Sequence, residues 1–186
     1  FDEMQSGFAR TGKKFGYEHY DVTPDLICVG KGMGGGVPLS GVIGKGEIMD
    51  LPDVGNMSST HSANPLVCAA GLSVLKEIED KSLVYEAEIK GRVLLDGLNT
   101  IKSKFPEKVS YVLGKGMIAA ILFHKDGKIP DSEFASKVAE KCMQKGLLVV
   151  HTGRESIKIG PPLIISMSAL KEGLEVLENA IHEILS

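Results

Sequence analysis

The stretch "DLICVGKGMGGGVPLSGVIG", Asp25 to Gly44, decides how the rest of the chain is read. Leu26, Ile27, Cys28 and Val29 make a short apolar run with β-branched members, the pattern of a buried strand, and the run stops at Gly30. "LSGVIGKG" reads as a second strand. Between them, a cluster of glycines lets the backbone take conformations closed to other residues and lets a ligand come close. Lys31 stands among these glycines. A phosphate-cradling P-loop needs its glycines before the lysine and a hydroxyl residue after it. Here Lys31 precedes the glycine run and Gly32 follows it, so that reading is rejected. Two readings remain. Lys31 is a solvated loop lysine, or it is an amine at the end of a buried strand, where apolar surroundings lower its pKa and suit it to Schiff-base chemistry.

Asp2 lies 29 residues upstream of Lys31, after the apolar Phe1 at what reads as another strand exit, and Glu3 and Gln5 follow it. A carboxylate held near a pyridinium nitrogen keeps that nitrogen protonated, which is how proteins tune pyridoxal phosphate as an electron sink. Asp2 and Lys31 at two strand ends are the minimum such a cofactor requires.

Composition sets the limits around this pair. The chain has 186 residues, 43% of them hydrophobic and 24% charged, enough to bury a core. The net charge of −3 is spread among both signs and offers no basic face for nucleic acid. A small-molecule or protein partner is expected instead. No apolar run approaches the roughly 18 residues that span a bilayer, so no membrane partner is expected and the expected location is cytoplasmic. Cys28, Cys68 and Cys142 lie far apart in apolar segments with no histidine at ligand spacing. They read as buried free thiols, and no metal site is expected. The opening "FDEMQSGFARTGKKFG" looks like a chain cut at a strand exit, which leads to the expectation of a fragment of a longer protein.

"EIMDLPDVGNMSSTHSAN" reads as a loop. Asn64 as N-cap with Pro65 at the first helical position predicts a helix through "NPLVCAAGLSVLKEIED". A second helix is predicted from Ser82 to near Pro106, with Val84, Ile89, Val93, Leu94, Leu98 and Ile101 on its apolar stripe. "KVSYVLGKGMIAAILFHKDG" reads as a hairpin-like pair of strands, "DSEFASKVAEKCMQKG" as a capped helix stopped by Gly146, and "LLVVHTG" and "SIKIGPPLII" as further strands. Leu170, Leu174, Leu177, Ile181 and Ile184 mark an amphipathic closing helix. Two α/β pieces are expected: residues 1–81, and residues 82–186, a connecting helix followed by a small β-α-β-β-α unit.

The block Phe1 to Gly44 resembles the signature of the class III aminotransferases, the pyridoxal-phosphate enzymes that include ornithine and 4-aminobutyrate aminotransferases. The family's DE-x-Q-x-G-F-x-R-T-G falls on Asp2 to Gly12, its PD on Pro24 and Asp25, its cofactor lysine on Lys31 and its glycine run on Gly34 to Gly36. The similarity returns in "SSTHSANPLVCAAGLSVL" and "IKIGPPLIISMSALKEGLEVLENAI" and covers nearly the whole chain. It implies a fold-type I transferase: residues 1–81 as the C-terminal part of a large, mostly parallel α/β cofactor domain with flanking helices, and residues 82–186 as the connecting helix and α+β small domain.

By that resemblance Lys31 forms the internal aldimine with pyridoxal 5'-phosphate and shuttles the proton, Asp2 pairs with the pyridine nitrogen, and Gln5 lies near the phenolic oxygen. Thr60 matches the threonine that reaches the partner subunit's cofactor phosphate in a homodimer. His61 beside it reads as structural. The implied reaction is transamination between an amino donor and a keto acid or aldehyde acceptor. The same fold also supports racemases and decarboxylases, and a non-catalytic fragment or dimerisation module is a further alternative. Family members commonly carry an arginine before the PP pair to clamp a substrate carboxylate; here Lys158 holds that position, a point charge where the family has a fork. Arg154 lies four residues earlier. This departure makes an amino sugar or a diamine a more plausible substrate. The family's phosphate turn and ring-stacking aromatic precede the segment matched here, so these residues alone are expected neither to retain the cofactor nor to transaminate.

Overall fold

A computed structural model describes residues 1–126 and 129–186. The chain divides into two compact units, Phe1–Tyr85 and Glu86–Ser186. In the first unit, strand β1 (Leu26–Val29) pairs antiparallel with β2 (Gly41–Gly44), Leu26 opposite Gly44 and Val29 opposite Gly41. On the other edge of β1, Phe1 to Glu3 run parallel to it. The Cys28 N–H donates to the Phe1 carbonyl at 2.9 Å, the Glu3 N–H donates to the Cys28 carbonyl at 2.9 Å, and Asp2 lies opposite Cys28.

The turn between β1 and β2 is a short 3₁₀ helix, Lys31–Gly34, closed by Gly35 in the left-handed region. Helix α1 (Gly46–Met49) occupies part of the segment expected to be loop. Helix α2 (Pro65–Asp80) begins where expected: the Asn64 side chain accepts from the Leu66 N–H at 2.9 Å. α2 packs on the glycine turn through Gly71, where a Cβ would sit 2.7 Å from Leu39 Cδ2.

Helix α3 (Leu83–Lys104) carries the boundary between the units. Its buried stripe is Leu83, Ala87, Lys90, Leu94, Leu98 and Ile101. The second unit continues with β3 (Val109–Lys115), β4 (Ile118–Lys125), β5 (Ile129–Pro130), α4 (Ser132–Gln144), β6 (Val150–His151), β7 (Ser156–Ile159) and α5 (Met167–Leu185). The sheet order is β3-β4-β7-β6 with β5 on β4, and every pairing is antiparallel. The β3–β4 hairpin precedes α4, so the unit runs β-β-α-β-β-α with the small β5 between. Gly127, which ends the expected hairpin segment, lies outside the described residues.

The core gathers Ile121 and Phe123 of β4, Ile157 of β7, Leu94, Leu98 and Ile101 of α3, and Leu177 and Ile181 of α5. Phe123 meets Phe134 edge to face at 5.2 Å between centroids. Two expected strands are shorter than read. Only Val150–His151 of "LLVVHTG" joins the ladder, and "SIKIGPPLII" leaves it after Ile159, because Pro161 and Pro162 have no N–H to donate. Among the described residues no helix is long and apolar enough to cross a membrane.

Candidate active site

Asp2 and Lys31 end neighbouring parallel segments. Asp2 is paired with Cys28, and Lys31 follows Cys28 by three residues. The two positions are thus one strand spacing apart, about 4.8 Å, and at most about 10 Å along the strand direction. Ligands of α/β sheets bind outside the carboxyl ends of such strands. The Met4 N–H donates to Asp2 Oδ1 at 2.9 Å, which fixes the carboxylate against its own backbone.

Lys31 has φ 53°, in the left-handed region that costs a non-glycine residue roughly 1–2 kcal/mol. It lines an open hollow of about 460 Å³ with Gly36, Val37, Pro38, Leu39 and Ser40. Lys31 and Asp2 are both exposed, so the expected apolar surroundings for the lysine are not present among the described residues. Gly30 is buried, and its lack of a side chain makes room for its neighbours: a Cβ there would lie 2.6 Å from Met4 Sδ and 3.2 Å from Ser40 Cβ. The hydrogen bonds of Phe1 and Glu3 to Cys28 set the Asp2 segment beside β1, and Met4 packs over Gly30.

Glu3 was not anticipated as an organising residue. It is 1% exposed. Its Oε2 accepts from Ser6 Oγ at 2.5 Å and from the Gly16 N–H at 2.8 Å, and its Oε1 accepts from the Tyr17 N–H at 2.7 Å. The sequence signal was the acidic pair itself: in a strand end, adjacent side chains face opposite ways, so one of the two must point inward.

Gln5 is exposed in the turn that follows. Thr60 lies on the exposed segment 51–65 and is not among the residues lining the Lys31 hollow. Serines on either side of it close local turns, Ser58 Oγ donating to the Gly55 carbonyl and Ser62 Oγ to the Ser59 carbonyl. His61 is exposed. In the second unit, Lys158 sits on β7 between Ala120 and Val150, half-buried, and alternates with the buried Ile157. Arg154 falls in the exposed turn before β7, off the strand that carries Lys158. The cysteines are free, but only Cys142 is buried; Cys28 and Cys68 are partly exposed, because each sits on an element with one uncovered side.

Residues 1–181 match the family model Aminotransferase class-III. The chain is 42% identical over 185 residues to a probable 4-aminobutyrate aminotransferase of Bacillus subtilis, covering 97% of this chain and 42% of that protein. It is 40% identical over 186 residues to a leucine/methionine racemase of Thermococcus litoralis, covering 98% of this chain and 42% of that protein. Among solved structures, the acetylornithine aminotransferase of Elizabethkingia anophelis superposes with a TM-score of 0.88 at 34% identity, over 97% of this chain and 44% of that one. The chain therefore spans less than half the length of the relatives it matches.

Proposed function

The chain belongs to the class III aminotransferase family, whose cofactor is pyridoxal 5'-phosphate, and on that premise we propose that it carries the cofactor lysine and part of the active site of an enzyme that transfers an amino group from an amino donor to a keto acid or aldehyde. The observation that carries this reading is the parallel bridge between Asp2 and Cys28, which sets an exposed carboxylate and an exposed primary amine at adjacent strand ends.

These residues fit the cofactor by their chemistry. Asp2 holds a protonated ring nitrogen, Lys31 is the covalent anchor, and the glycine-rich turn beside Lys31 leaves space that side chains would fill. Bound, the cofactor supplies an electron sink for the pair left when a bond to the substrate's α-carbon breaks. A carboxylate at Asp2 placed beside the ring nitrogen would favour the cationic form of that nitrogen. The Lys31 amine would take the proton from the substrate's α-carbon and deliver it to the cofactor carbon, which leaves the amino group with the cofactor. Gln5 would hold the phenolic oxygen, and Thr60 would offer its hydroxyl to the phosphate bound by a partner subunit. Its position on an exposed loop with Leu51, Val54 and Met57 supports that role, since exposed apolar side chains in a group mark a contact surface. Lys158 meets the substrate as a point charge.

The racemase relative supports a second reading with the same Asp2 and Lys31, in which the proton returns to the opposite face of the same carbon. Incubation of the natural holoenzyme with a single enantiomer of an amino acid and a keto acid separates the two. A new amino acid formed from the keto acid supports transfer; inversion of the donor without transfer supports the racemase.

A further inference from the structure

Asp2 and Glu3 are neighbours with opposite fates: Asp2 is exposed at the strand end and Glu3 is 1% exposed beneath it. A carboxylate is kept in such a place only when its lone pairs are taken up. Those of Glu3 are taken up by Ser6 Oγ and by the backbone N–H groups of Gly16 and Tyr17, which begin the 3₁₀ turn Gly16–His19. The backbone of Glu3 is held as well, its N–H by the Cys28 carbonyl and its carbonyl by the Gly7 N–H at 3.0 Å. Glu3 thereby closes the intervening loop of residues 4–15 onto the strand end. Within that loop Phe8 and Ala9 both have positive φ, a backbone that persists only when its surroundings impose it.

The first residue after this clamp is Met4. Its N–H is the donor that orients Asp2 Oδ1, and its sulfur packs against the position of a Cβ on Gly30, one residue before Lys31. The loop that Glu3 closes therefore also fixes the rotamer of Asp2 and the approach of Met4 to the lysine turn. Alternation keeps Glu3 itself away from the face that Asp2 presents.

We propose that Glu3 is a positioning residue for the cofactor: its buried carboxylate locks the loop of residues 4–15 and, through Met4, holds the Asp2 carboxylate at the ring nitrogen. This rests on the cofactor assignment above. Glu3 touches neither cofactor nor substrate and acts only through Asp2.

The test compares the natural holoenzyme with Glu3→Gln, Ser6→Ala, Asp2→Asn and the Glu3→Gln/Asp2→Asn double variant. The readouts are the dissociation constant for pyridoxal phosphate, the pH midpoint of its bound absorption band, kcat and KM, and the melting temperature. Glu3→Gln is expected to weaken cofactor binding and lower kcat by about tenfold each, with KM for the donor little changed, and to displace the absorption midpoint; tenfold is the coupling expected within one hydrogen-bond network. In the Asp2→Asn background the same change is expected to add nothing to these readouts. Ser6→Ala removes one of the three donors and is expected to act in the same direction, which keeps the test open if Glu3→Gln does not fold. A lowered melting temperature with unchanged cofactor affinity, absorption and kcat overturns the proposal, as do additive effects in the double variant. If wild-type protein shows no cofactor band that depends on Lys31, the cofactor assignment itself fails, and that is seen before any Glu3 variant is compared.

Discussion

Asp2 and Cys28 lie opposite each other on parallel neighbours, so the carboxylate ends its segment beside the strand whose exit, three residues on, carries Lys31. On the proposed cofactor assignment, a charge held there would act on a ring anchored at Lys31. Asp2→Asn keeps the size and the contact from the Met4 N–H but removes the charge. The amino-transfer kcat is expected to fall on the order of 10²-fold or more, with a smaller change in KM, as for loss of one preorganised electrostatic partner. Steady-state kinetics over a donor series measures it.

Lys158 holds the position at which the family resemblance leads us to expect an arginine. Lys158→Arg is expected to lower KM for carboxylate-bearing substrates by about tenfold and to leave KM for a carboxylate-free amine unchanged, because two parallel hydrogen bonds replace one point contact. Paired KM measurements on the two substrate types decide it.

Gly91 of α3 packs on the β3–β4 turn so closely that a Cβ would lie 2.4 to 2.6 Å from the Cα, C and O of Gly116. Backbone cannot retreat as a side-chain tip can. Gly91→Ala is therefore expected to destabilise by about 2 kcal/mol, overpacking outweighing the roughly 1 kcal/mol that alanine adds to a helix. Gly173→Ala in α5 would meet only Leu147 Cδ1, at 3.4 Å, and is expected to stabilise by up to about 1 kcal/mol. Urea titration of both variants checks the contrast in sign.

Burial pushes the Cys142 thiol up to about 11 from an ordinary 9.0. The folded state thus keeps its proton where the unfolded chain has lost it, so this contribution is fully present below pH 9 and is lost as pH rises toward 11. The alkaline fall in melting temperature should be smaller in Cys142→Ala than in the wild type across that window. In native protein at pH 8 a thiol reagent is expected to leave Cys142 unmodified and to reach it on unfolding.

Local chemistry that the sequence states outright was legible in it. Asn64 with Pro65, Asp131 before "SEF" and Gly146 with φ 86° punctuate helices by mechanisms that act within a few residues. The strand–lysine–glycine turn was equally plain. Distant partners were not. Lys90 is absent from the apolar stripe read from the sequence, yet it lies in the buried stripe of α3. It is paired there with Glu86 at 3.0 Å and donates to the Leu163 carbonyl, 73 residues away, at 3.2 Å. That is why the stripe read from apolar residues drifted off the true one over the first turns of α3. Glu3 was missed for the same reason, since its amide partners come from a loop closure 13 and 14 residues on. The exposure of Lys31 shows the converse: a strand end can be recognised from sequence while the burial of the residue beyond it cannot.

Lys31 is proposed as the covalent anchor of the cofactor. Borohydride reduction of the natural holoenzyme, proteolysis and mass mapping test it most directly. The predicted result is a pyridoxyl-phosphate mass increment on the peptide containing Lys31 and on no other lysine, lost in Lys31→Ala together with the absorption band. A label on a different lysine, or amino transfer that survives Lys31→Ala with the band intact, contradicts it.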